Sequence, residues 1–115
     1  MDTSQFKPKT LQQVRDAMEA VEVAGRKRGL SASDKIALQT VSLTLHNMER
    51  TITESIENKL VEDLTRDSNA LKDLTEKILA ASKKLEKLAG ILETTAKVVD
   101  GFVKIVSVAF GAGLL

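Results

Sequence analysis

Apolar positions recur along this chain at alternating steps of three and four residues, from Leu11 almost to the end. That is the period of an α-helix with one face turned to a core, so the pattern predicts an all-α protein. Leu11, Val14, Met18 and Val21 place a first helix over about 11–28, capped by Thr10. Gly25 sits on the same stripe, where it would admit a close neighbour. Arg26, Lys27 and Arg28 fall in the last turn, facing the negative end of the helix dipole. Gly29 suits the position just past the helix, with Leu30 making the accompanying apolar contact.

A second helix opens at Ser31, where Ser31-Ala32-Ser33-Asp34 offers hydroxyl caps and an acid. Its stripe is Val41, Leu45, Met48, Ile52, Ile56, Leu60 and Leu64, and the polar run Thr65-Arg66-Asp67-Ser68-Asn69 reads as a turn. A third helix starts near Ser68. Leu71, Leu74, Ile78, Ala81, Leu85, Leu88, Leu92, Thr95 and Val99 form a seam of coiled-coil spacing along it. Asp73–Lys77 and Glu93–Lys97 have the acid-before-base spacing that supports a helix. Asp100-Gly101 reads as a break, followed by a short helix over 102–110.

Stripe width then predicts the assembly. From Ile52 to Ile78 the stripe is narrow, which suits a helix with one neighbour. From Ile36 to Met48, where Leu38 and Leu43 join it, and again from Leu79 onward, it widens. The expected fold is an elongated antiparallel hairpin with arms 31–64 and 68–99 and a polar tip near Asp67. A short helix one and an apolar C-terminal helix pack at its base, an up-down helical bundle. Residues 1–9, with the only proline at Pro8, are expected to be a flexible leader, and 10–115 a single domain.

The apolar residues are not evenly spread. From Val98 to Leu115 only Asp100 and Lys104 carry charged side chains. This segment is shorter than the roughly 20 residues that span a bilayer as a helix. It is therefore a plug for the bundle base, a partner surface, or an interfacial membrane segment. The first role is favoured. The candidate surface for the other two is Phe102, Val103, Ile105, Val106, Phe110, Leu114 and Leu115.

Composition narrows the function. The 115 residues carry 17 basic and 16 acidic side chains, a net charge of +1, without the basic surplus of a nucleic-acid binder. There is no Cys, Trp or Tyr, and only Phe6, Phe102 and Phe110 are aromatic, so thiolate chemistry and stacking platforms are not expected. His46 is the only histidine. With Glu49 and Arg50 it makes a local polar cluster, but no second group completes a site. Glu54, Glu57, Glu62, Asp63 and Asp67 lie off the stripe and read as a solvated face rather than metal ligands. Gly111-Ala112-Gly113 lacks the lysine and following helix of a phosphate loop. The basic runs Arg26-Lys27-Arg28 and Lys83-Lys84 with Lys87 suit helix ends and solubility, with phosphate or anionic lipid as the functional alternative.

The expectation is a non-enzymatic helical bundle without cofactors. It works by association with a protein partner or with itself, and takes no nucleic acid or small-molecule substrate. The alternative is a membrane-active, pore-forming-like protein that uses 98–115. The amino terminus has no apolar signal region, and a cytoplasmic location is expected.

Overall fold

The computed structural model describes residues 6–55, 57–81 and 83–111, apart from the side chains of 57, 58, 81 and 109–111. These residues form four α-helices: α1 (Phe6–Gly25), α2 (Ala32–Glu54), α3 (Glu57–Ala81) and α4 (Glu86–Gly111), with a single 3₁₀ turn at Lys83–Leu85. There is no strand among the described residues. The molecule measures 51 × 20 × 19 Å. Helices α1 and α2, α2 and α3, α3 and α4, and α4 and α1 pack side by side.

The all-helical character agrees with the pattern, as does the first turn, at Gly29 before the Ser31 cap; the two later breaks do not. The helices have 20, 23, 25 and 26 residues, so the first is no short accessory. The expected turn at 65–69 lies inside α3, which runs through Asp67 without interruption, and the expected break at Asp100-Gly101 lies inside α4. The reversals fall instead after Glu54 and after Ala81. Ser55 closes α2 in an extended conformation (φ −84°, ψ 148°), its N–H donating to Thr51 O at 3.0 Å. The sequence marks this stop only with Thr51, Thr53 and Ser55, β-branched and hydroxyl residues that weaken a helix. The second reversal carries no glycine or proline. Leu85 is buried immediately after it, so the three-and-four spacing passes across the link unbroken.

At the amino end, α1 begins at Phe6 rather than after Thr10. Pro8 sits in the first turn, where no intrahelical N–H bond is lost. Thr10 is buried and donates to Phe6 O at 2.8 Å. α1 stops at Gly25, with the Arg26 and Lys27 amides bonding three residues back. Gly29 then turns the chain with φ +79°, a left-handed conformation that glycine adopts without strain. The capping box of α2 forms as its sequence implies: Asp34 N–H donates to Ser31 Oγ, and Ser31 N–H to Asp34 Oδ2.

The core runs the length of the molecule. It includes Val14, Ala17 and Val21 of α1, Val41, Leu45, Met48 and Ile52 of α2, Leu64, Leu71 and Ile78 of α3, and Leu88, Leu92 and Val99 of α4. Two buried hydroxyls fix the register around it. Ser68 of α3 donates to the Asp100 carboxylate of α4, whose other oxygen pairs with Lys72. Thr95 of α4 donates to Ile91 O and accepts from Gln13 of α1 at 3.0 Å. Glu49 of α2 meets Arg15 of α1 at 2.9 Å. At the far end Lys27 Nζ donates to Lys84 O at 2.9 Å, and Lys84 Nζ to Gly29 O at 2.7 Å. The ties Gln13–Thr95 and Lys27–Lys84 make α1 and α4 antiparallel.

Gly29 lies at a turn, whereas Gly101 lies at an expected break that α4 runs through. A Cβ at Gly101 meets nothing within 4 Å, whereas one at Gly29 would lie 2.9 Å from Lys84 Nζ on left-handed backbone. Gly101→Ala should stabilise the protein by about 0.5–1 kcal/mol, the helix-propensity gain. Gly29→Ala should destabilise it by about 1–2 kcal/mol. Denaturant melts of the two variants check both signs.

Candidate interaction surface

The apolar C-terminal segment is drawn into the bundle as far as it is described. Phe102 and Val106 are buried, Val103 packs half-buried against the core, and Ile105 is half-buried. Val108 is exposed. The side chain of Phe110, and Leu114 and Leu115, lie outside the described residues. Among the described residues no helix is long and apolar enough to cross a membrane.

The aliphatic side chains left outside the core mark a different place. Val23 is 55% exposed, Ile36 63%, Leu79 48% and Ile91 39%. These four, one from each helix, lie within about a turn and a half of the end where α1 and α3 finish and α2 and α4 begin; Leu43 and Val108, also exposed, lie farther along α2 and α4. Of the two residues that widen the stripe of α2, Leu38 is buried but Leu43 is 63% exposed, as is Ile36 at its start, so the buried stripe is narrower than the pattern implies. The 3.6-residue turn drifts against a strict repeat, and only packing decides which edge of a wide stripe is covered.

The same end gathers the two basic runs, 57 residues apart in sequence, through the Lys27–Lys84 bond. Of the 17 basic residues, Arg26, Lys27, Arg28, Lys35, Lys77, Lys83, Lys84 and Lys87 lie within about a turn and a half of this end, against Glu22, Asp34, Glu76 and Glu86 among the acids. Asp34 is spent in the capping box. A chain of nearly zero net charge therefore carries a cationic cap, which no reading of the total charge could find. Gly25, expected at a close helix approach, has nothing within 4 Å of a Cβ.

Between α1 and α4, just behind the cap, runs an open groove of about 380 Å³. Its floor is Ala20, Val23, Ala24, Leu88 and Ile91. Asp16 and Glu19 stand at one end, and Lys27 and Lys87 at the other. None of these four makes an ion pair among the described residues, although Arg15 and Glu49 nearby do.

The polar side chains singled out by sequence lie apart among the described residues. His46 is exposed and turns back on its own helix, with Nδ1–H donating to Ser42 O at 2.7 Å. Glu49 faces Arg15, so the His46–Glu49 cluster does not form. No group of three His, Cys, Asp or Glu suited to a metal occurs among the described residues. Glu93 and Lys97 pair at 3.4 Å. Asp67 corrects the solvated-face expectation. It is buried in a polar cleft between α2 and α3, with Oδ2 unpaired and Oδ1 3.8 Å from Arg66. No known protein family, curated protein or solved structure matches this chain.

Burial raises the Asp67 carboxyl above the ordinary range; Arg66 works against this and Asp63 adds to it. A raised acid is protonated more readily in the folded state. Its contribution to stability is complete below the unfolded value near pH 4 and is lost as pH rises through the folded value. Asp67→Asn should therefore raise the melting temperature at pH 7, with the gain vanishing at about pH 3, where both states are protonated. Melts at the two pH values check it. For the C-terminal segment, Phe102→Ala should cost about 3–5 kcal/mol, the price of an emptied aromatic site. A melt that moves by less than a tenth of that would show the ring to be loosely held.

Proposed function

We propose that this chain is a non-enzymatic up-and-down helical bundle whose work is protein–protein association through its outer helical faces. The observation that carries the reading is the collar of Val23, Ile36, Leu79 and Ile91 around one end. Scattered exposed aliphatics are ordinary, but a set with one member on each helix, beside a cationic cap, is the composition of a contact surface. Such a surface gains affinity from the apolar side chains and orientation from the charges. The only histidine, His46, bonds back to its own helix and not to a second group that would complete a proton-transfer site, and this favours binding over catalysis.

A membrane-active role for 98–115 is the second reading. It would require Phe102 and Val106 to leave the core, at a cost of several kcal/mol. The exposed collar needs no such rearrangement.

The test is a variant with serine at 23, 36, 79 and 91. None of the four is in the core, so its thermal melt should stay within a few degrees of the parent. Affinity capture with the full chain should recover a partner that the variant loses. Equal recovery by both proteins would move the function away from this end. Flotation of the full chain with anionic vesicles, abolished by removing residues 102–115 but unaffected by the serine variant, would favour the membrane reading instead.

A further inference from the structure

The groove between α1 and α4 has a symmetry in its charges that bears on what fills it. Asp16, Glu19, Ala20, Val23, Ala24 and Lys27 follow the spacing of a single helical stripe. Acids stand at one end of that stripe, a base at the other, and aliphatic or small residues between. On the facing helix, Lys87 and Ile91 line the same groove. The ties Gln13–Thr95 and Lys27–Lys84 set the register of the two antiparallel helices. They bring Lys87 to the basic end, about one turn below Lys27, and Ile91 beside the small residues.

A surface that is acidic at one end, apolar in the middle and basic at the other is complementary to itself once reversed. A two-fold axis through the middle of the stripe would carry Asp16 onto Lys27 of a second copy and Glu19 onto its Lys87. The reverse pairs form at the same time. This is the isologous arrangement in which one patch serves both partners. Ala20 and Ala24 leave room for Val23 of the other copy. The four charged side chains have no ion-pair partner within the described residues, and a second copy would supply one to each.

We propose that the α1/α4 groove is a self-association surface, occupied by a second copy of this chain docked antiparallel about a two-fold axis. The proposal rests on the association reading above and names one partner for it. The groove is narrow, so the contact is of the weak class that buries less than about 1,200 Å². Its charged ends make it salt-sensitive.

The experiment is sedimentation of the full chain at about 0.1 mM protein, in the range where small interfaces associate. At about 50 mM salt the chain should sediment as a dimer. At about 0.5 M salt, where screening acts over only a few ångströms, the association constant should fall by about tenfold. A variant with Glu19→Lys, and another with Lys87→Glu, should each associate at least tenfold more weakly than the parent, with helical content unchanged by circular dichroism. Mixed in equal amounts, the two variants should form a dimer, because reversal places the new lysine against the new glutamate. A monomeric parent chain would overturn the proposal, as would variants that dimerise like the parent or a mixture that stays monomeric. A monomeric parent that still captures a different protein through the collar at 23, 36, 79 and 91 would overturn self-association alone. Loss of both would remove the association reading as well.

Discussion

Helices α3 and α4 share the most extensive contact in the molecule, and one carboxylate pins their register. Asp100 accepts from the buried Ser68 hydroxyl and pairs with Lys72, one turn further along α3. A buried hydroxyl without a partner costs about 1–3 kcal/mol, and a hydrogen bond to a charged acceptor is among the stronger ones. Sliding α4 by one turn would part Ser68 and Lys72 from Asp100, and Ser68 from Ala96 O, its second acceptor at 3.4 Å. The apolar contacts supply most of the attraction, and the polar clamp selects one alignment.

The other helices are aligned by similar means. Thr95 lies inside the bundle with both its donor and acceptor capacity used, one within α4 and one across to Gln13 of α1. Arg15–Glu49 links α1 to α2. At the opposite end the bonds between Lys27, Lys84 and Gly29 join the α1–α2 loop to the 3₁₀ turn. Each tie is modest alone. Together they fix which side chains of each helix face outward, and so they create the collar and the groove. The collar and the groove are by-products of register rather than of any local motif.

This has a consequence for specificity. Lys27 serves both the fold and the groove, since its ammonium touches Lys84 O while lining the basic end. The cationic cap exists only because residues 26–35 and 83–87 are folded together. Local unfolding of either link would disperse it. Binding at this end would therefore favour the closed arrangement of both loops, and stability and association would be coupled.

The sequence by itself determined that the chain is helical, where most of its core residues lie, and how α2 starts. Helical period, helix-forming composition and the Ser31–Asp34 box are local properties that any packing would preserve. Phe102 and Val106 were legible as core candidates for the same reason. Gly29 and the Ser31 cap mark the first reversal, but tertiary structure alone decided where the later two fall. Asp67, Ser68, Asp100 and Gly101 look like turn residues because they compete with helix in isolation, but Ser68 and Asp100 satisfy each other across the bundle and the helices run through them. The reversal after Ala81 has no local signal, because an apolar repeat keeps its spacing whether the helix continues or folds back. Which aliphatics remain outside was equally undecidable: Ile36, Leu43, Leu79 and Ile91 have the spacing of buried neighbours, and only the register of adjacent helices left them in solvent. The groove, acidic at one end and basic at the other, is also a product of that register, since it joins residues of α1 to residues some sixty positions away on α4.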